Sequence, residues 1–432
     1  MLTWLSKRDD AHYTRRGTMT PNHPSAVKTM VDVPEAHRIL FENVRPGPTT
    51  TMSLRDALFR TLAQPVRCDI DYPPFDRSVM DGYAVRSADV SQSRVRLSVV
   101  GRIAAGHVPD KPLLPGQAIQ INTGAPLPAG ADAVVRAEDA SLSASGDEVE
   151  ICQPAPSGQF VTPRGRFVRD GQTVLPAGTR LTSLEIGVAA AAGAVLLTVY
   201  RPPTVAILST GDELIDIGAV PVGPEIRNSN QHMLEALIRS AHAVPAVLDG
   251  VADDPTALRD RLRTGQSYDV LCVTGGVSVG AFDFVPQVLA ELGGTFHIQK
   301  MMIKPGRPTV FASMPAGTLV FGLPGNPVSA FVGFELLVRP ALAALEGRPG
   351  VVPQVISARL IGTAKATENR RSFWPARAAV DDSGHWAAEA LAWQGSGDLF
   401  GMAAANALIV RPPESRAAGP NEAVSILLLD RV

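Results

Sequence analysis

Residues 268–280 read Tyr-Asp-Val-Leu-Cys-Val-Thr-Gly-Gly-Val-Ser-Val-Gly. An unbroken apolar run, Val270 to Val273, enters a glycine-rich turn, and an amphipathic segment, FVPQVLAEL (284–292), follows. Short apolar runs of this kind suit strands buried on both faces, as in a parallel sheet covered by helices. The pattern recurs on either side. TVAILST (204–210), AVPAVLDG (243–250) and TLVFGLPGNP (318–327) alternate with the helical periods NQHMLEALIRSA (230–241) and PTALRDRLR (255–263), and a further helix is expected after Asn326. Residues 203–347 are therefore predicted to form an α/β domain with a doubly wound parallel sheet.

Outside this unit the pattern changes. TTMSLRDALFRTLAQP (50–65) places leucines at 54, 58 and 62 behind a candidate N-cap, Ser53, and predicts a helix. VRLSVVGRIAAG, QAIQINTGAPL and DAVVRAED are short alternating segments between Gly and Pro turns, which predict a small β domain to about residue 160. Residues 182–192 read as an Ala-rich helix leading to a strand at 195–200. RPGVVP (348–353) marks a linker, and 351–432 return to short strands. Residues 1–45 show no clear period and are expected to be a disordered leader, with Met19 and Met30 as alternative starts.

Composition narrows the function. The 432 residues carry 40 basic and 42 acidic side chains, a net charge of −2, so a nucleic-acid binder held by counterion release is disfavoured. The longest apolar stretch read from the sequence, 186–200, is broken by glycine and shorter than the ~20 residues of a membrane span. Cys68, Cys152 and Cys272 have neither disulfide-framework nor zinc spacing, which suits a reducing cytoplasm. The 38 glycines and 36 prolines are the unusual feature, roughly 17% of the chain against a usual ~12%.

Ligands in open parallel sheets bind beyond the carboxyl ends of strands, and four Gly/Pro-rich segments lie at or near such ends. Ser209-Thr210-Gly211-Asp212-Glu213 stops a strand and adds two carboxylates. Gly275-Gly276-Val277-Ser278-Val279-Gly280, before a helix, offers backbone N–H groups to an anion. Val277 excludes a dinucleotide fingerprint and Ala281 excludes a phosphate-loop lysine; Asp283 suits a helix cap or a metal ligand. Lys300 to Pro308 (KMMIKPGRP) holds two of only six lysines. Strand periodicity predicts Lys300 and Lys304 on one face, Pro305-Gly306 fits a type II turn, and Arg307 adds a planar fork for an oxyanion. In Pro324-Gly325-Asn326-Pro327, Asn326 is a predicted N-cap and Pro327 a first helical residue.

Taken together, PPFDRSVMDGYAV (73–85), INTGAPLPAGADAVV (121–135), LSTGDEL (208–214), TGGVSVG (274–280), KPGRP (304–308), GLPGNPVSA (322–330) and QGSGDL…ANALIV (394–410) resemble the MoeA family of molybdopterin molybdenumtransferases, related to the gephyrin E domain. The resemblance runs collinearly from about residue 50 to the end. It implies a multi-domain α/β plus β fold: a helical platform from 46–76 and 161–202, an inserted small β domain at 77–160, a doubly wound molybdopterin-binding domain at 203–347, and a C-terminal β domain at 348–432. It implies a homodimer with a shared cleft, Mg²⁺, and molybdate and adenylylated molybdopterin as substrates, with AMP released. A molybdopterin adenylyltransferase is the implied pathway partner; no nucleic acid or membrane is implied.

Transferred motif by motif, Asp81, Glu213, Asp283, Lys300 and Lys304 match catalytic positions, with Glu213 and Asp283 as metal ligands. Thr123, Ser209, Thr210, Gly211, Gly275, Gly276, Ser278, Gly280, Arg307, Pro324, Gly325, Asn326, Pro327 and Ser396 form the expected binding set. An acid of the Asp253-Asp254 pair is a further match. On this chemistry the lysines polarise the pyrophosphate and Asp81 orients or activates water. The chain departs from the pattern at Arg77, Asn122, Arg166-Phe167, Arg227-Asn228 and Ala281, several of them usually acids in the family. Two alternatives follow: a divergent paralogue that binds or stores the cofactor without catalysis, and a molybdopterin adenylyltransferase.

Overall fold

The computed structural model describes residues 28–107, 111–251, 254–277 and 284–429. At its centre is a six-stranded sheet. We label its strands β1 (Thr204–Ser209), β2 (Val244–Val247), β3 (Val270–Thr274), β4 (Thr295–Ile298), β5 (Val310–Ser313) and β6 (Leu319–Leu323), in the spatial order β2-β1-β3-β6-β5-β4. The four strands expected from sequence pair in parallel. The sheet is nevertheless mixed, because β5 and β6 form a tight hairpin and β5 runs against its neighbours. Gly317, at φ +96°, turns that hairpin.

The period of two in these strands sorts the core into two halves. Val205 and Ile207 of β1, Val270 and Cys272 of β3, and Phe321 and Leu323 of β6 face one cluster. Ala206, Leu208, Leu271, Val273 and Val320 face the other. The longer helices are α1 (Val33–Asn43), α2 (Ser183–Ala191), α3 (Ser229–Ser240), α4 (Pro255–Gly265), α5 (Val285–Glu291) and α6 (Pro327–Leu345). Leu234 and Ile238 of α3 and most of α6 fill the first cluster; Leu258 and Leu262 of α4 and Val285, Val288 and Leu289 of α5 fill the second. Both faces are thereby covered, as a doubly wound sheet requires.

Helix α6 is predominantly apolar and long enough to cross a membrane, but 89% of its apolar window is buried inside the fold. It widens into a π-turn at Phe334–Val338, just before Pro340. Pro340 has no N–H to give the carbonyl four residues earlier, that of Leu336. The Nε2–H of His37 donates to that Leu336 oxygen at 2.8 Å. Here the structure corrects the leader expected over residues 1–45. Part of it is helix α1, capped by Asp32 and packed on the core through Ala36, Ile39 and Leu40. Residues 1–27 lie outside the described residues.

The helix expected at 50–65 is also corrected. Thr49–Ser53 is a strand paired antiparallel with Leu196–Tyr200. Ser53 does cap a helical turn, but only the single 3₁₀ turn Leu54–Asp56. Leu58 is exposed, Leu62 fully buried, and Phe59 adopts φ +63°, so the three leucines do not share a face. A β-branched run with a waiting partner strand outweighs helix propensity. In this platform the expected 182–192 helix is present as α2, with a capping box between Thr182 and Glu185.

The platform is fastened to the α/β unit by charge and by close packing. Arg60 donates to the His242 carbonyl at 2.9 Å and meets Glu346 at 3.4 Å, and Arg348 reaches the same carboxylate at 3.0 Å. Burial raises the Glu346 pKa, with Arg348 opposing. Gly347, at φ +78°, lies against the Tyr200 ring so closely that an added Cβ would be 2.1 Å from it.

Residues 82–151 hold a six-stranded sheet inserted between the platform segments. Residues 355–428 form a closed five-stranded barrel, since Arg371–Val380 pairs with both Trp386–Ala390 and Ala407–Arg411. Closure removes free sheet edges.

The His37 contact is testable. His37→Ala removes the donor to a buried carbonyl and is expected to cost about 1–2 kcal/mol at pH 7.5 in denaturant unfolding. Burial lowers the His37 pKa in the folded protein. The unfolded chain therefore takes up a proton first as pH falls below about 6.5, and that part of wild-type stability declines. The gap between wild type and variant should narrow from pH 7.5 to pH 5.5; a constant gap contradicts this assignment.

Candidate functional site

Three strand ends meet above the sheet. β1 continues into Thr210-Gly211, β3 into Gly275-Gly276, and β6 into Pro324-Gly325-Asn326 before α6. The Thr210 N–H donates to the Thr274 carbonyl at 2.9 Å, and the Gly275 N–H to the Leu323 carbonyl at 3.2 Å. Gly275 adopts φ +86°, and a Cβ there would lie 2.4 Å from the Thr210 carbonyl oxygen. Only glycine allows so close an approach.

A cavity of about 440 Å³ opens over this junction, lined by Thr210, Glu213, Asn230, Gly275, Gly276, Pro308, Pro324, Gly325 and Asn326 among others. A second cavity of about 390 Å³ lies across the 209–214 segment, with Ser209, Gly211, Asp212, Asn228 and His232 in its wall. A hydroxyl chain joins the strand ends beneath them: Thr274 Oγ1 to Ser209 Oγ at 3.2 Å, then Ser209 Oγ to Asn228 Oδ1 at 3.3 Å. Asn228 also caps α3 by accepting from Gln231 N. Asn at this departure thus retains the N-cap role open to an aspartate, without the charge.

Asn326 behaves differently from its expected role. Its side chain does not cap α6; its Nδ2 donates to Ser396 Oγ at 2.9 Å. The α6 N-terminus is instead satisfied from the barrel, where the Ser396 carbonyl accepts from Val328 N at 3.1 Å. The Ser396 turn is itself held by Asp398, whose carboxylate accepts from Gln394 N and Gly401 N at 2.8 Å each. Those two N–H groups lower the Asp398 pKa. Ser396 is thereby brought to the rim of the Gly322–Pro327 turn, and Pro327 is the first residue of α6.

The lysine segment departs from the periodic expectation. β4 ends at Ile298, Lys300 follows a bend, and Lys304 lies on a separate two-residue strand, Ile303–Lys304, so no single strand carries both. Two neighbours compete for this segment. The Val31 N–H donates to the Lys300 carbonyl at 3.0 Å, while Ile303–Lys304 pairs with Arg371–Ser372 of the barrel. Lys304 Nζ lies 3.9 Å from Glu368. The peptide bond between Lys304 and Pro305 is cis, and Gly306 adopts φ +104°. The main chain of Arg307 accepts from Met301 N, and the next residue, Pro308, reaches the cavity wall.

Asp81 sits elsewhere, at the start of the 82–85 strand. Its Oδ1 accepts from Thr123 N at 2.6 Å, Thr123 Oγ1 at 3.0 Å and Asn122 Nδ2 at 3.4 Å. The Thr123 N–H first, then the Thr123 hydroxyl, the Asn122 amide and the charge of Arg102, lower its pKa. Asp81 is therefore ionised at neutral pH and is a weak base. Among the described residues, its hydrogen bonds stay within the inserted domain.

Ser278, Gly280, Asp283 and Asp253 lie outside the described residues, whereas Asp254 caps α4 by accepting from Ala257 N. Among the described residues no group of three His, Cys, Asp or Glu side chains is placed to hold a metal ion. Glu213 is the carboxylate in the larger cavity wall. Asn230 and Pro308 are wall residues to which no sequence motif assigns a role. The polar run Asn228-Ser229-Asn230 ahead of an amphipathic helix was the available signal for Asn230.

Three family profiles match the chain in order: the MoeA N-terminal region (domain I and II) at residues 31–193, a probable molybdopterin binding domain at 206–344, and the MoeA C-terminal region (domain IV) at 357–429. A molybdopterin molybdenumtransferase of Nostoc sp. is 36% identical over 412 residues, covering 92% of this chain and 94% of the relative. One from Staphylococcus aureus is 31% identical, covering 93% and 96%. Among solved structures, a molybdopterin biosynthesis MoeA protein from Pyrococcus horikoshii superposes with a TM-score of 0.79 at 29% identity, covering 93% of this chain and all of that one.

The glycine junction yields a paired prediction. Gly275→Ala combines a positive-φ penalty with a clash against main chain and should destabilise by on the order of 2–4 kcal/mol. Gly178→Ala, at φ +85° with open space around its Cβ, should cost only the first part, about 1–2 kcal/mol. Equal losses in denaturant melts would show that the close approach carries no weight.

Proposed function

This chain belongs to the MoeA family, and we propose that it is a molybdopterin molybdenumtransferase that inserts molybdate into adenylylated molybdopterin and releases AMP. The observation that carries the reading is the glycine-built cavity above β1, β3 and β6, within the region matched to a molybdopterin-binding domain. Its chemistry suits the substrates. Molybdate is a tetrahedral dianion and the adenylyl linkage is a pyrophosphate, so binding calls for backbone N–H donors and point cations. Gly276 in the cavity wall offers the first; Lys300, Lys304 and Arg307, on the segment that leads to Pro308 of that wall, offer the second.

Each group then has a distinct task. The lysines bind the oxyanions and offset charge that builds on the phosphate as the linkage to AMP breaks. Glu213, with Asp283, would hold Mg²⁺, a hard cation that takes one or two carboxylates plus phosphate oxygens and would neutralise phosphate charge when bound. Asp81, ionised and gripped through one oxygen, keeps the other free to orient a water or a substrate proton; its low pKa favours orientation over proton abstraction. Asp81 belongs to the inserted domain and not to the α/β unit, so the reading pairs it with a homodimer in which the cleft is shared between subunits. The substrate must come from an enzyme that adenylylates molybdopterin, the natural pathway partner. Three unpaired cysteines suit a reducing cytoplasm.

The test is to incubate the purified protein with adenylylated molybdopterin, Mg²⁺ and molybdate, and to follow AMP and cofactor. Molybdate-dependent AMP release is expected. ATP consumption on free molybdopterin, or binding without turnover, overturns the assignment. Lys304→Ala should lower turnover by about 10²-fold, the usual scale for loss of one oxyanion partner. Asp81→Asn should lower turnover at every pH without moving the acid limb of the pH–rate profile, since Asp81 titrates below the ordinary carboxylate range. A shift of that limb would reassign Asp81 as the titrating base.

A further inference from the structure

One buried polar atom beside the cavity has no partner. Asn230, the second residue of α3, is 8% exposed and its residue forms part of the cavity wall. Its Nδ2 donates to the Gly325 carbonyl at 2.6 Å. That bond fixes which way round the amide stands, because a carbonyl can accept only from the nitrogen. The amide oxygen is left buried and without a donor among the described residues. Thr61 Oγ1, Arg348 Nε and Arg411 Nε share that condition, but none of them belongs to the cavity wall. An unpaired buried acceptor is destabilising, so one beside a ligand cavity has a natural explanation: its donor arrives with the ligand.

We propose that Asn230 is a specificity-determining residue of the substrate cavity. Its nitrogen holds the Gly322–Pro327 turn in place, and its oxygen takes a hydrogen bond from an N–H or O–H group of the bound substrate. The inference rests on the function proposed above. Molybdate and the ionised pyrophosphate carry no proton at neutral pH and are not the partner. The donors of the substrate are the amine and ring N–H of the pterin, or the adenine amine and ribose hydroxyls of the adenylyl half.

The experiment titrates the full chain with neopterin and, separately, with AMP by calorimetry. Asn230→Ala should weaken one of the two by about 5–30-fold, the scale of one buried hydrogen bond. The analogue of that probe lacking the donor (a 2-deaminopteridine, or an AMP analogue without its amine or a ribose hydroxyl) should bind wild type and variant alike. Loss with neopterin assigns the oxygen to the pterin; loss with AMP assigns it to the adenylyl half. Equal weakening of parent and donor-free analogue would show a purely structural tie to Gly325 and overturn the proposal, as would unchanged binding of both probes. Should the variant not fold, wild type alone decides, because donor-free analogues binding as tightly as their parents also overturn it. Failure of wild type to bind either probe removes the cavity assignment as well. Molybdate-dependent AMP release with Asn230-independent binding removes this inference alone.

Discussion

The site depends on contact between main chains. At the carboxyl ends of β1, β3 and β6, Thr210, Gly275 and Gly325 approach closely enough that a side chain on Gly275 would strike the Thr210 carbonyl. Strand spacing in a sheet is set by hydrogen bonding, so the ends draw together only where side chains are absent. The cavity is the space left above that junction. Its wall is rich in main-chain groups, which suits anions, and its side-chain polarity is confined to a few residues such as Glu213, Asn230 and Asn326.

Around this junction each unit is completed by another. The α6 N-terminus is capped by a carbonyl of the C-terminal barrel, and the Leu336 carbonyl, denied a donor by Pro340, is served by His37 of α1. Lys304 lies on a strand whose partner belongs to the barrel. The N-terminal helix, the α/β unit and the barrel therefore share polar groups that none would satisfy alone. A buried polar group without a partner is costly, so such exchanges fix how the units dock.

The departures from the family pattern read differently once placed. Asn228 caps α3 and meets Ser209, so it fills the structural roles open to the expected acid. Arg77 and Phe167 lie against each other, the guanidinium 5.7 Å from the ring centroid, so two departures distant in sequence form one contact. Neither relationship follows from the residues taken singly.

The sequence by itself determined the four parallel strands of the α/β unit, the helices between them and the family. Unbroken apolar runs and helical periods report burial directly, and the glycine-rich turns are long and idiosyncratic. It misjudged 50–65, where helical leucine spacing lost to strand pairing, and it could not foresee that β5 would reverse within the sheet. Only the tertiary structure decided that Asn326 turns to Ser396 instead of capping its own helix, that Lys300 and Lys304 share no strand, and that Asn230 lines the cavity with its buried amide oxygen unpaired. The physical reason is the same in each case. A polar atom's partner is chosen among everything nearby in space, and local sequence reports only the candidates within a turn or two.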